Sequence, residues 1–358
     1  MHVLYISYPL LTVSGDSAGG AEQVLWTLER EMALRGVATT VAASAGSSIA
    51  GELLATGEPS TRPDDFERRN REHQERVVEW IRHRAHSSLS FDLVHDMSGS
   101  FWPRAAEIAA PLLATLHLPR NFYPPQLFEN VSANVAFNCV SQAQAATFRG
   151  FGAVAGLVRN GIPLDRFAPN LGQEERMGLL WLGRICEEKA PHLALEMAAR
   201  TGEPIMLAGQ IYPFSYHQKY FENEIKPRLK EMPNATFLAA PPLSAKLKLL
   251  RRARAVLITS QAEETSSLVA MEAAASGTPV VAFARGALPE IVRDGMTGFL
   301  ADSIDDAVKA LQRLGEIDSE VCVEHAREHF SAATMAERYS ALYEQVCSSG
   351  FALTPTDM

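Results

Sequence analysis

The sequence is poor in cysteine and does not cluster the cysteines that it has. Its 358 residues include 4 cysteines. They are Cys139, Cys186, Cys322 and Cys347, and no two of them form a C-x-x-C pair. This spacing excludes a zinc ribbon or a disulfide scaffold, and it is typical of a reducing compartment. We therefore expect buried, structural thiols.

Basic residues are fewer than acidic residues. The sequence has 33 lysines and arginines against 42 aspartates and glutamates, which gives a formal net charge of -9. Proteins that bind nucleic-acid polymers normally carry a basic field. The composition therefore argues against a nucleic-acid partner, and a few local groups must hold any anionic ligand.

Long apolar segments are missing as well. No uninterrupted apolar run approaches the roughly 20 residues that a spanning helix needs. The N-terminal stretch MHVLYISYPLL lacks the basic start of a signal peptide. The histidines form no H-E-x-x-H ligand set. We therefore expect a cytoplasmic protein that uses no metal and no cofactor.

Strand and helix patterns alternate along the chain in two series. The apolar run Val3–Tyr8 is followed by a glycine-rich loop and a helical pattern, which together indicate a βαβ unit. A second series begins near Leu179, after a turn-rich stretch at 160–176. We predict two α/β domains with parallel sheets, at 1–165 and 166–330, followed by helical residues at 331–358. A ligand is expected where strands end, in the cleft between the domains.

The sequence AEETSSLVAMEAAASG carries the strongest local signal. Thr265, Ser266 and Ser267 are good N-cap residues, so a helix begins among them and offers an anion site at its N-terminus. Glu264 and Glu272 would lie about 12 Å apart along a helix axis, too far for a glycosidase pair at about 5–5.5 Å. They suit the two ends of a nucleoside diphosphate sugar. Alternatively, one glutamate caps the helix and the other is solvated.

Other polar groups follow predicted strands. Arg184 and Lys189 come after the strand LLWLG and suit a diphosphate clamp, although surface ion pairs are the alternative. The loop GDSAGGAE contains Gly20 and could approach a phosphate, or could be a plain turn. His95 and His117 each end a strand, where a histidine either faces a cleft or serves a structural role.

The basic stretch KLKLLRRAR at 246–254 is interpreted as the solvated edge of a helix. Peripheral contact with anionic lipid is the alternative, and it is not favoured.

Several motifs in this order resemble the family 4 glycosyltransferases, which have the GT-B fold. They are G-G-A-E at 19–22, V-S at 140–141, N-G-I-P-L-D-R-F at 160–167, G-R-x-x-x-x-K at 183–189, E-x7-E at 264–272 leading into E-A-A-A-S-G-T-P-V-V, and R-G-A-L-P-E-I-V-R-D-G-M-T-G-F at 285–299. The resemblance implies two Rossmann-like domains with parallel sheets that face each other across a cleft. It also implies a helix at 331–358 that packs back on the first domain.

The resemblance further implies transfer of a sugar, with retention, from a UDP- or GDP-sugar to an acceptor hydroxyl, without a metal. Four residues would be catalytic: Glu264, His117, Arg184 and Lys189. The donor would contact Gly20, Arg184, Lys189, Glu264, Ser266, Ser267, Leu268 and Glu272. Arg184, Lys189 and the amides of 266–268 would hold the diphosphate, Glu272 the ribose, and Glu264 the transferred sugar.

One departure from the family pattern concerns the residues after the first glutamate. The family often has E-G-F-G, whereas this chain has E-T-S-S at 264–267. Donor preference is therefore open, and the acceptor has no readable motif. A sugar phosphorylase or sugar-nucleotide epimerase with the same fold, or a sugar-nucleotide binder without catalysis, remain alternatives.

Overall fold

The computed structural model describes residues 1–60, 62–85, 90–150 and 154–348. The chain forms two compact units, one of Met1–Gly161 together with the chain from Ala332 onwards, and one of Ile162–Ser331. The division falls a few residues before the predicted boundary at 165. The end of the predicted tail, residues 349–358, lies outside the described residues.

The first unit is built on a parallel sheet of seven strands in the order β3-β2-β1-β4-β5-β6-β7. The strands are β1 His2–Ile6, β2 Ala38–Ala43, β3 Glu52–Ala55, β4 Leu93–Asp96, β5 Leu112–Leu116, β6 Val135–Cys139 and β7 Val154–Leu157. Its helices are α1 Gly20–Leu34, α2 Phe66–Arg84 and α3 Gln142–Thr147. Strand β3 was not expected, because its half-exposed residues at a sheet edge lie in a stretch that is rich in small polar residues and resembles a loop.

The second unit contains a parallel sheet of six strands in the order β10-β9-β8-β11-β12-β13. The strands are β8 Leu179–Arg184, β9 Ile205–Gln210, β10 Ala235–Ala239, β11 Ala255–Ile258, β12 Val280–Phe283 and β13 Gly298–Ala301. The helices are α4 Pro191–Thr201, α5 Ser215–Tyr220, α6 Lys226–Glu231, α7 Leu243–Arg252, α8 Leu268–Ala275, α9 Leu288–Ile291, α10 Ile304–Gln312 and α11 Ser319–His329. A π-helical turn, Phe221–Ile225, joins α5 to α6.

Each sheet is buried by helices on both faces, as parallel sheets require. In the first unit, buried apolar side chains of β1, β4 and β5 have exposures of 0%. In the second unit, two apolar clusters lie against the sheet, one including Trp181 and Leu257 and the other including Val256 and Ala273. The predicted α/β class with parallel sheets is confirmed.

The last helix, α12 Ala332–Ser348, is grouped with the first unit although it follows the second in sequence. Its Tyr343 hydroxyl hydrogen-bonds the ring Nδ1 of His95 at 2.7 Å. The ring Nε2 of His95 bonds the Thr115 hydroxyl at 2.8 Å, and that hydroxyl lies 3.0 Å from the Tyr339 hydroxyl. All four side chains are buried. His95 therefore takes the structural role of the two that the sequence allowed.

The burial of the cysteines agrees with the expectation at three of the four positions. Cys139, Cys186 and Cys322 are buried, but Cys347 is exposed, so the expectation of a buried thiol is wrong there. Among the described residues, no helix is both long enough and apolar enough to span a bilayer.

Candidate functional site

The candidate site lies in the second unit, at the carboxyl edge of its sheet. Strands β8 and β11 are neighbours at the centre of the strand order, and the chain leaves them in opposite directions across the sheet. Such a switch point leaves room for a ligand between the loops that follow the two strands. Arg184 ends β8, Lys189 lies in the loop after it, and Glu264 follows β11, so the fold brings these predicted residues to one edge.

Lys189 and Glu264 are in direct contact. The Lys189 ammonium donates to the Glu264 carboxylate, with 2.5 Å between Nζ and Oε1. The Glu264 side chain is 9% exposed and the Lys189 side chain 30% exposed. A charge-assisted bond of this length holds the lysine beside the end of β11. Arg184 ends β8, is exposed, and has no part in this ion pair.

The backbone of Glu264 is fixed by the loop after β12. The amide of Ala287 donates to the Glu264 carbonyl at 2.7 Å, and the amide of Gly286 donates to the Glu263 carboxylate at 2.8 Å. Gly286 has a φ of +54°, and a Cβ there would lie 2.2 Å from the Glu264 carbonyl oxygen. Only glycine permits both this conformation and this approach.

The loop that carries Lys189 is anchored from β11 by Thr259. The Thr259 hydroxyl donates to the Ala190 carbonyl at 2.8 Å and accepts from the Trp181 indole at 3.1 Å. Ala190 adopts the left-handed conformation at φ 47°, directly before Pro191 starts α4. Proline suits this first helical position, where a backbone N–H would have no partner inside the helix. Thr259 was not singled out from the sequence, because its partners come from other strands.

Helix α8 begins where the sequence predicted. Ser267 is its N-cap, and the Ser267 side chain accepts from the Ala270 amide at 3.3 Å. The first turn from Leu268 still leaves amides without partners inside the helix, and they carry the positive end of its dipole. The Ser266 hydroxyl is buried and has no hydrogen-bond partner among the described residues. The helix start is thus suited to an anion.

Glu272 lies inside α8 and forms a second ion pair. Its Oε1 accepts from the Lys246 ammonium at 2.5 Å, and the two side chains are 6% and 17% exposed. Its Oε2 is buried without a hydrogen-bond partner among the described residues. Lys246 was predicted to lie on a solvated helix edge, and that interpretation is wrong for this residue. No local pattern could reveal it, since α7 and α8 meet only in the folded chain.

A small pocket opens between the loops described above. It is lined by Gly183, Lys189, Ser260, Glu264 and Ser267, together with residues of β8 and β11. Its volume is about 80 Å³, well above the roughly 10–15 Å³ that a cavity needs to hold one water molecule. The pocket can thus take a small polar group, and the rest of a larger ligand would lie outside it. It combines a cation, a carboxylate and the start of a helix.

The first unit holds the two remaining predicted residues. Gly20 is the first residue of α1, after the loop that follows β1. His117 directly follows β5, and desolvation of its ring lowers its pKa to about 4. The imidazole is therefore neutral at neutral pH. Their predicted roles toward a donor stay predictions.

The segment Gly15–Gly19 also has the G-x-S-x-G spacing of a serine nucleophile. In the structure, however, the Ser17 hydroxyl is 2.8 Å from the Thr12 carbonyl and accepts from the Ser14 amide at 2.8 Å. These contacts hold a turn. A nucleophilic serine instead needs its hydroxyl bonded to a base.

The fold is GT-B, as predicted, with one parallel sheet in each of two α/β units. Sucrose-phosphate synthase from Thermosynechococcus elongatus matches 98% of this chain and 100% of its own, with a TM-score of 0.78 and 20% identity. HepE from Anabaena, solved in complex with UDP-glucose, matches 96% of this chain and 100% of its own, with a TM-score of 0.73 and 17% identity. At these identities the likeness establishes the fold.

The family model matches the second unit. Residues 165–329 match the model of the family described as glycosyl transferases group 1. A curated relative, D-inositol 3-phosphate glycosyltransferase from Thermobifida fusca, is 29% identical over 272 residues. That alignment covers 64% of this chain and 62% of the relative, so this chain matches less than two thirds of the relative's length. The matched family region contains every predicted site residue except Gly20 and His117.

Proposed function

We propose that this chain is a retaining glycosyltransferase that moves a sugar from a nucleoside diphosphate sugar to an acceptor hydroxyl. One observation carries the proposal. Two Lys–Glu ion pairs and the start of α8 occur together at the switch point of the second sheet. The family model over residues 165–329 and the name of the curated relative support the reaction class.

The donor diphosphate is proposed to lie at the start of α8. The amides of Ser266, Ser267 and Leu268 would donate to it, and Lys189 and Arg184 would neutralise its charge. Lys189 is available for this role because it already points at the pocket while paired with Glu264. HepE, with the same fold, was solved with UDP-glucose, which supports a nucleotide sugar as ligand.

The two glutamates are proposed to bind the two ends of the donor. The unpartnered Oε2 of Glu272 would accept hydrogen bonds from ribose hydroxyls, while Lys246 keeps Oε1 occupied. Glu264 would accept from hydroxyls of the transferred sugar. From the first unit, we assign Gly20 to the phosphate and the neutral His117 to the sugar.

In the proposed reaction, the bond between the anomeric carbon and the diphosphate oxygen breaks while the acceptor oxygen bonds to that carbon. The acceptor's proton goes to the departing phosphate oxygen on the same face, which retains the configuration. The negative charge on the leaving group is stabilised by Lys189, Arg184 and the helix dipole. In this scheme the positive charge that stabilises the leaving group comes from the protein, and the transfer step uses no metal.

We place the enzyme in the cytoplasm, which its four free thiols support.

The test starts with a thermal-shift panel of nucleotides and nucleotide sugars, because a bound donor stabilises the folded state. The best donor is then used to compare the wild type with Lys189→Ala and with the control Lys248→Ala, an exposed lysine of α7. We expect Lys189→Ala to lose about 10²–10³ in kcat, as removal of one preorganised donor does. The control should keep full activity.

Other outcomes would identify other functions. Full turnover by Lys189→Ala with an intact fold would contradict the proposed role of Lys189 in neutralising the donor diphosphate. Turnover with inorganic phosphate would indicate a phosphorylase, and conversion of the nucleotide sugar alone would indicate an epimerase. Tight nucleotide binding without hydrolysis or transfer would indicate a binding protein.

A further inference from the structure

Three side chains with metal-ligating atoms meet beside the candidate site without taking part in it. They are Cys186, Glu188 and His217, and one ligand atom from each lies within 4.8 Å of the others. Cys186 and Glu188 belong to the loop between β8 and α4, whereas His217 belongs to α5, which follows β9. No other group of three or more such residues occurs in the part of the chain that the structure describes.

Within this cluster, the ring of His217 lacks hydrogen-bond partners. The residue is fully buried, and neither of its ring nitrogens has a hydrogen-bond partner among the described residues. Burying polar nitrogens without partners is unfavourable, and native proteins rarely do so. A ligand that accepts the lone pair of one nitrogen would remove part of that cost.

The surroundings of His217 orient the ring. Its centroid lies 4.2 Å from that of Tyr216 and 5.4 Å from that of Phe214, with both rings packed edge to face. The third aromatic ring is Tyr212, at 6.2 Å. These rings limit rotation of the imidazole and shield the side of it that they cover from water.

We propose that Cys186, Glu188 and His217 bind a divalent transition-metal ion of the zinc class. Thiolate, imidazole and carboxylate are the three ligand types that zinc takes from proteins. The sulfur ligand disfavours magnesium and calcium, which take oxygen ligands. A thiolate and a carboxylate together carry two negative charges, so they neutralise a divalent ion while the imidazole stays neutral.

The geometry requires only a small adjustment. With Zn–S at about 2.3 Å and Zn–N at about 2.0 Å, ligand atoms of a tetrahedral site lie ~3.5 Å apart. The three atoms would therefore close in by about 1 Å through side-chain rotation. Glu188 is exposed, so the ion can reach the buried pair from that side, and water can fill the fourth position.

The bound ion would join the loop after β8 to α5. The loop after β8 also contains Lys189, and Arg184 directly precedes it. A metal that links this loop to α5 would fix its conformation. This role is structural, takes no part in the transfer step, and stands whether or not the chain transfers a sugar.

The test uses cobalt as a spectroscopic probe on the metal-free, full-length chain. We expect one equivalent of Co²⁺ to bind with thiolate-to-metal charge-transfer absorption and the visible bands of a tetrahedral ion, and Zn²⁺ to abolish both. Cys186→Ser should lose the charge-transfer band. Glu188→Gln and His217→Gln should bind at least tenfold more weakly. The matched control is Cys347→Ser, which removes the exposed thiol and should change nothing.

Two results would overturn the site. One is a wild type without a charge-transfer band, and the other is a charge-transfer band that survives in Cys186→Ser. Because a variant could fail to fold, zinc-edge X-ray absorption of the wild-type complex provides a second measurement. One sulfur with nitrogen and oxygen neighbours is expected, and a shell without sulfur would reject the proposal.

Discussion

At the scale of single residues, the pair of Lys246 and Glu272 is the most buried charge pair of the candidate site. Only 17% of the lysine side chain and 6% of the glutamate side chain are exposed. Removing one partner of such a pair leaves the other charge without compensation in a poorly solvated place.

We therefore expect Lys246→Met to lower the free energy of unfolding by about 2 kcal/mol, less than for a fully buried pair. The double variant Lys246→Met with Glu272→Gln should recover much of the loss, because no charge is then left behind. Urea denaturation measures both. Lys248→Met, an exposed lysine on the same helix, should change little. Equal losses in both lysine variants would contradict a specific role of the pair.

Substitution of Gly286 is the second single-residue change whose effect on stability and donor binding can be measured. Gly286 and Gly295 both have positive φ, at +54° and +70°, but only Gly286 has backbone atoms where a Cβ would lie. Gly295→Ala should cost about 1–2 kcal/mol of stability, the penalty of a left-handed alanine. Gly286→Ala should cost more, and it should also weaken binding of the nucleotide sugar at least tenfold, because Glu264 must move.

Calorimetric titration with the donor separates these two effects. Unchanged donor affinity in Gly286→Ala, with the fold intact, would show that the position of Glu264 does not matter for binding.

At the scale of elements, buried hydrogen bonds between side chains hold α12 on the sheet of the first unit. The Tyr343 hydroxyl contacts the ring of His95 at 2.7 Å and lies 3.2 Å from the Tyr5 hydroxyl. Tyr343→Phe removes this hydroxyl and leaves a buried imidazole nitrogen without its partner. We expect a loss of about 1–3 kcal/mol in unfolding free energy.

The control for α12 is Ser348→Ala at its exposed end, where the hydroxyl bonds only its own helix. Thermal unfolding of the two variants should differ by several degrees. A Tyr343→Phe protein as stable as the control would mean that apolar packing alone holds the helix.

At the scale of the whole molecule, the second unit is one continuous segment, Ile162–Ser331, whereas the first needs both ends of the chain. The second unit contains its own apolar clusters and all the proposed donor groups except Gly20 and His117. We expect residues 162–331 to fold alone, to unfold cooperatively, and to bind the nucleoside diphosphate found in the thermal-shift panel.

By contrast, residues 1–161 alone should fail to unfold cooperatively, because they lack the buried side chains of α12. Those side chains include Tyr339 and Tyr343, both 0% exposed. Circular dichroism of the two fragments tests the difference. A stable 1–161 fragment would show that α12 is dispensable for the first unit.

Much of the fold could be predicted because its signals are local. Apolar runs of β-formers marked the central strands, and the serines before Leu268 marked the start of α8. Strand β3 was missed, since an edge strand with half-exposed residues has no apolar run. Strand β13 was missed as well, because Gly298–Ala301 is short and begins with glycine.

The sequence by itself determined the class of the fold and the polar residues at the ends of β8 and β11, because the apolar pattern of a strand and the cap of a helix depend on residues that are close in sequence. The tertiary structure alone decided which charges pair. Lys189 meets Glu264 and Lys246 meets Glu272 only after parallel strands and adjacent helices bring distant segments together. The same holds for the cluster at His217, because that residue lies in α5 whereas Cys186 and Glu188 lie in the loop after β8. Contacts between distant segments are set by packing, and no spacing along the chain encodes them.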